Sequence, residues 1–262
     1  MSFPVYIHIG SWELHPHVLF ESLSYFIGFR VYLWTRTKGR IPPLIGLQII
    51  AGAMAGAALG SKLLFWLEDP LLTVAHAAAG DWTALLAGKT IVGGLLGGLI
   101  GVELSKRWAG WSASTGDDFV LPLVVGMSIG RIGCFLTGLE DGTHGTPTAL
   151  PVGVDFGDGI PRHPAQLYEI VFLVILGVLL GQLRRRMRQA GDAAALPSGA
   201  VFQLFMTAYL LYRFAIDFMK PTPHFYWGLN NIQLACAAGL AYYAALLSRW
   251  VDPKKRGMRH AR

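Results

Sequence analysis

Long apolar runs separated by short basic clusters dominate this chain and leave it few ways to fold. Seven runs stand out, at about 18–34, 44–66, 90–104, 119–136, 165–183, 200–218 and 230–247. Most of them match the roughly 20 apolar residues that a helix needs to cross a bilayer. In lipid every backbone polar group must be satisfied inside the segment, which selects helices for such runs. Charge usage agrees, because charged residues make up only 15% of the 262, against about 25% in soluble domains. The expectation is an all-α integral membrane protein with seven transmembrane helices, forming a single membrane domain over 1–262. Within it, 1–17 reads as an interfacial N-terminus, 137–164 as an external loop and 249–262 as a basic cytoplasmic tail. Residues 71–88 are interrupted by His76, Asp81 and Trp82 and read as a re-entrant or surface segment.

The basic residues set the orientation. Segments 36–43, 106–118, 184–198 and 249–262 hold 15 of the 22 Lys and Arg. Cytoplasmic loops carry such an excess, which predicts an N-out, C-in topology. The 137–164 loop, with Glu140, Asp141, His144, Asp155 and Asp158, then lies outside. The net charge of +6 is distributed between apolar runs rather than gathered on a soluble face, so no nucleic-acid partner is expected. The first residues lack a basic stretch followed by a short apolar core, so no cleavable signal peptide is expected. Cys134 and Cys236 both fall inside apolar runs and give neither a disulfide framework nor a metal-ligand spacing. His8, His15 and His17 form no tight ligand pattern and read as interfacial side chains.

The chemistry concentrates between Gly130 and Glu169 and returns at Arg213. Arg131 and Arg213 stand inside apolar runs, where charge is costly and by default functional. Asp217 follows Arg213 by four residues, one helical turn, and is positioned to pair with it. Arg131 has two candidate partners. One is a lipid phosphate, which the guanidinium fork binds in bidentate fashion. The other is a glutamate, Glu21 or Glu169. His163 precedes a helix opened by Pro164 and serves either as a general base or as a cap. Cys134 shares a helical face with Arg131, either as a nucleophile or as a small packing residue. Glu21, Arg213 and Asp217 would also suit an ion path, but neither an inverted repeat nor paired broken helices accompany them.

Three motifs carry a resemblance. They are Gly130-Arg131-Ile132-Gly133-Cys134-Phe135-Leu136-Thr137-Gly138, the run from Pro161 to Glu169, and Tyr212-Arg213-Phe214-Ala215-Ile216-Asp217-Phe218. With Gly88 to Val102 and Asn230-Asn231-Ile232-Gln233, they resemble, in order along nearly the whole chain, the prolipoprotein diacylglyceryl transferase family. The resemblance implies transfer of a diacylglyceryl group from phosphatidylglycerol to the lipobox cysteine of a prolipoprotein, with glycerol phosphate leaving. It implies a multi-pass protein of the bacterial inner membrane, with phosphatidylglycerol and a prolipoprotein signal peptide as partners and neither metal nor organic cofactor. Arg131 and Arg213 match the family arginines that handle the headgroup and leaving phosphate. His163 and His144 are the candidate bases. Tyr168, Glu169, Gln233, Asp217 and Glu21 complete the expected substrate-binding set. The chain departs from the family pattern at Val92, where a histidine is usual, and at Cys134, where asparagine is usual. It also departs at Glu21 for tyrosine and at Leu139 for glutamate, with Glu140 one place later. These departures suggest the alternative of a non-catalytic phospholipid-binding or accessory protein of the same fold.

Overall fold

In the computed structural model, residues 3–37, 41–190 and 196–251 are described. A small hairpin, β1 (Ile7–Ile9) and β2 (Trp12–Leu14), precedes helix α1 (Pro16–Thr35). Then come α2 (Pro43–Trp66), α3 (Pro70–Ala79), α4 (Trp82–Ala87), α5 (Ile91–Trp108) and α6 (Val120–Thr137). A polar loop bearing the two-residue strands β3 (Val154–Asp155) and β4 (Pro161–Arg162) leads to α7 (Ala165–Ala190), α8 (Ala200–Ile216) and α9 (Asn231–Val251). Proline occupies the first turn of α1, α2 and α3, where its missing N–H costs no helical hydrogen bond.

Each expected apolar run is a helix. Five of the described helices, α2, α6, α7, α8 and α9, are long and apolar enough to cross a membrane. The helices at the first and third runs lie outside that set, because α1 carries Glu21 and Arg30 and α5 carries Glu103, Lys106 and Arg107. The 71–88 segment is the short pair α3 and α4, capped by Asp69 on the amide of Leu72 and by Asp81 on that of Ala84. Helix α7 runs past the expected end at Leu183 through Arg184–Arg186, since arginine is a strong helix former. Lys38, Arg40 and the tail 252–262, which hold part of the expected inner charge, lie outside the described residues.

The chain forms two compact units. The first comprises residues 1–37, 114–209 and 218–221. In it α1 packs along α6, and α6 along α7. Gly133 of α6 permits the first approach, since a Cβ there would stand 2.7 Å from the Cβ of Phe20. Asp117 and Asp118 stand just before α6, and their side chains tie it to other segments of the unit. Asp117 accepts from the amides of Gly199 at 2.8 Å and Phe202 at 3.0 Å, so it caps α8. Asp118 pairs with Arg184 and accepts from Thr37. Asp117→Ala should cost about 1 kcal/mol, as loss of a helix cap does. A thermal melt in detergent reads this as a lowered midpoint, and an unchanged midpoint would show that the cap contributes nothing.

The second unit comprises residues 38–113, 210–217 and 222–262. Helices α2 and α5 meet through facing glycines. A Cβ on Gly56 would lie 2.3 Å from the carbonyl oxygen of Gly97, and one on Gly93 2.3 Å from that of Gly60. Small residues allow such backbone approach where lipid removes any hydrophobic drive between helices. Lys62 of α2 is accommodated because its ammonium donates to the carbonyls of Leu86 and, at 2.6 Å, Gly88.

Candidate functional site

In the first unit Arg131 sits on the last turns of α6 and is 4% exposed. The two ends of its guanidinium fork are engaged separately. Nη2 meets Glu169 Oε2 at 2.9 Å, and Nη1 donates to Cys134 Sγ at 3.7 Å. Tyr209 donates its hydroxyl to the other oxygen of Glu169 at 2.7 Å. Of the two glutamates open in the sequence, Glu169 is therefore the one that meets Arg131. Glu21 instead accepts from the Tyr25 hydroxyl at 3.1 Å and lies 3.6 Å from His17. The pairing leaves hydrogen-bonding capacity unused. Arg131 Nε is buried without a partner among the described residues, and so are both amide atoms of Gln166. Gln166 lies three residues before Glu169, on the same face of α7. Buried polar atoms are nearly always satisfied, so each such orphan calls for an explanation, and a bound ligand is one.

The polar loop is organised around His163. Its amide donates to the carbonyl of Thr146 at 3.1 Å, and its own carbonyl accepts from the amide of Gly145 at 2.8 Å. Gly145 is required by this approach, since a Cβ there would stand 2.6 Å from that of His163. The ring Nδ1 lies 3.1 Å from the Tyr168 hydroxyl on the first turn of α7. His144 sits beside Phe156, which is buried among Phe3 and Phe135. Burial, helped by the nearby Arg162 charge, pushes the His144 pKa below its usual value. Tyr168→Phe removes the hydroxyl that His163 Nδ1 meets. It should lower turnover about fivefold, the worth of a hydrogen bond of about 1 kcal/mol, in an assay at saturating lipid.

In the second unit the Arg213 and Asp217 expected from one-turn spacing are an ion pair at 2.9 Å, 3% and 0% exposed. Asn230 donates to Asp217 Oδ2 at 3.3 Å and to the Thr222 hydroxyl at 3.0 Å. Asn230 and Gln233 close a reciprocal cap on α9. The Gln233 amide donates to Asn230 Oδ1 at 2.7 Å, and the Asn230 amide donates to Gln233 Oε1 at 2.9 Å. Gln233 thus braces the residue that holds Asp217. Val92, where the family pattern has histidine, is 1% exposed in the core of this unit.

Three residues of these clusters escaped the sequence reading. Gln166 lay within the motif but had no role. Tyr209 precedes Arg213 by one turn, a spacing that offered a signal. Asn230 sat in the last motif without its link to Asp217.

Five long apolar helices, with two guanidinium–carboxylate pairs buried in the protein, define the class: a multi-pass helical membrane protein. The prolipoprotein diacylglyceryl transferase family model matches residues 4–249, and the chain belongs to that family. It is 33% identical to the phosphatidylglycerol–prolipoprotein diacylglyceryl transferase of Nitratidesulfovibrio vulgaris, over 84% of this chain and 82% of that protein. It is 30% identical to the enzyme of the same name from Methylobacillus flagellatus, over 95% and 94%. The Cupriavidus pinatubonensis enzyme is 32% identical over 91% and 86%.

Proposed function

We propose that this chain transfers a diacylglyceryl group from phosphatidylglycerol to the cysteine thiol of a prolipoprotein signal peptide. It works in the bacterial inner membrane, as seven spans with the N-terminus outside and the C-terminus inside. The observation that carries the reading is Arg131, buried and held by Glu169, with its Nε and the Gln166 amide without partners among the described residues. An acceptor-rich phosphate supplies what those donors lack.

In the reaction the acceptor sulfur attacks the lipid glycerol carbon that bears the phosphate. The carbon–oxygen bond breaks, and glycerol phosphate leaves with the bonding electrons. Arg131 and Arg213 stabilise charge developing on the leaving phosphate. Fixed donors do so strongly in a site that excludes water, because they need no reorganisation. Glu169 and Asp217 hold the two guanidiniums, and Gln233 acts through Asn230. His163, oriented by Tyr168, takes the thiol proton, with His144 as the second candidate.

The test uses protein purified in phosphatidylglycerol micelles with a lipobox peptide. A peptide heavier by one diacylglyceryl group, with matching glycerol phosphate, is the expected result. Glycerol phosphate without modified peptide would replace the thiol acceptor by water or another group. Arg213→Ala should lower turnover on the order of 10²-fold, and full activity in a folded variant would remove Arg213 from the mechanism.

A further inference from the structure

Beside Arg131, on the side away from Glu169, three donors of different chemistry converge from separate segments of the first unit. His17 comes from the first turn of α1, Cys134 from the last turn of α6, and Asp141 from the turn that follows it. One ligand atom from each lies within 4.8 Å of the others. Asp141 is held in place. Its Oδ2 accepts from the Thr143 hydroxyl, leaving Oδ1 to face His17 Nδ1 at 2.9 Å. The Asp141 side chain is 6% exposed and Cys134 9%. The His17 backbone is fixed as well, its amide donating to His15 Nδ1 at 3.2 Å.

We propose that His17, Cys134 and Asp141 bind a thiophilic divalent cation, of which zinc is the best fit. A thiolate with an imidazole selects zinc over the hard cations that oxygen ligands favour. Zinc keeps its ligands about 2.0–2.3 Å away, so two nitrogen or oxygen ligands stand roughly 3.3–3.5 Å apart. With the cation replacing the His17–Asp141 hydrogen bond, atoms now within 4.8 Å of one another close by about an ångström to seat it. Binding releases the thiol proton, as metal capture by cysteine requires. One thiolate and one carboxylate then balance the dication, so the complex is neutral, as a weakly hydrated setting demands. The Arg131 Nη1 contact to Sγ becomes a hydrogen bond to the bound thiolate, of the outer-layer kind that tunes metal ligands. Three protein ligands leave a fourth position open, the arrangement of zinc sites that act on a bound water or substrate. The isolated histidines and cysteines of the sequence gave no such indication, because the site is assembled only by packing α1 against α6.

The experiment uses the full chain, purified without a histidine tag and stripped of metal. Cobalt(II) is titrated in as a spectroscopic stand-in for zinc. The expected result is a thiolate-to-cobalt charge-transfer band saturating at one cobalt per protein and bleached by added zinc. The band is lost in Cys134→Ser, kept in Cys236→Ser, and weakened in Asp141→Asn, each compared by size-exclusion elution for intact fold. No band in the wild-type protein overturns the proposal, as does a band that survives Cys134→Ser. Cobalt-independent alkylation of Cys134 that needs His17, without a band, would also overturn it and make the cluster a hydrogen-bonded thiol–imidazole pair. None of these readouts depends on transfer activity.

Discussion

Arg131→Ala is expected to abolish measurable transfer, a loss on the order of 10²–10³-fold for removing one fixed charge-stabilising donor. It should also weaken the first unit, because it takes from the buried Glu169 the guanidinium it pairs with. Removing one partner of a buried pair costs about 3–5 kcal/mol, and Glu169 is 1% exposed. The double variant Arg131→Ala with Glu169→Ala separates the two effects. It restores much of the thermal midpoint, since neither charge is left alone, and stays inactive, since no guanidinium meets the phosphate. Arg131→Lys keeps the charge but loses the fork that engages Glu169 and Cys134 separately, so it should retain the fold and little activity. A double variant that recovered transfer would remove Arg131 from the chemistry and leave it a structural ion.

Gly97→Ala should destabilise the second unit by about 1–3 kcal/mol or more, the cost of overpacking a closed interface. The added Cβ would lie 2.2 Å from the Gly56 carbonyl oxygen and 2.9 Å from the Cα of Gly60, both backbone atoms that cannot swing aside. Helices α2 and α5 must then separate, and in lipid no hydrophobic gain offsets the lost packing. The neighbouring Gly98→Ala is the internal control. Its Cβ would meet Ala53 at 3.5 Å, an ordinary contact. It should be neutral, or stabilising by up to about 1 kcal/mol through better helix propensity. Equal thermal midpoints for the two variants in the same detergent would show that close approach of α2 and α5 is not what holds the unit.

The metal site and the cap on α8 mark the boundary of what the chain disclosed before folding. The helices were legible because apolar runs of membrane length admit no other hydrogen-bonded form. Their ends were legible within a few residues, except where Arg184–Arg186 prolonged α7. The Arg213–Asp217 pair was legible because both residues lie on one helical turn, where geometry is local. The positions of Arg131, His163, Tyr168 and Gln233 were marked by motifs, but motifs do not state contacts.

The sequence alone therefore determined the helical class, the placement of apolar segments, the family motifs and the i to i+4 ion pair, all consequences of short-range spacing. Tertiary structure alone decided that Glu169, not Glu21, meets Arg131, and that Tyr209, 40 residues from Glu169, completes that cluster. It alone brought Asp117 to cap α8, 82 residues away, and gathered His17, Cys134 and Asp141. Helical periodicity says which face a side chain occupies; which distant face it meets is set by packing, where glycine contacts of a few ångströms select one arrangement of the helices.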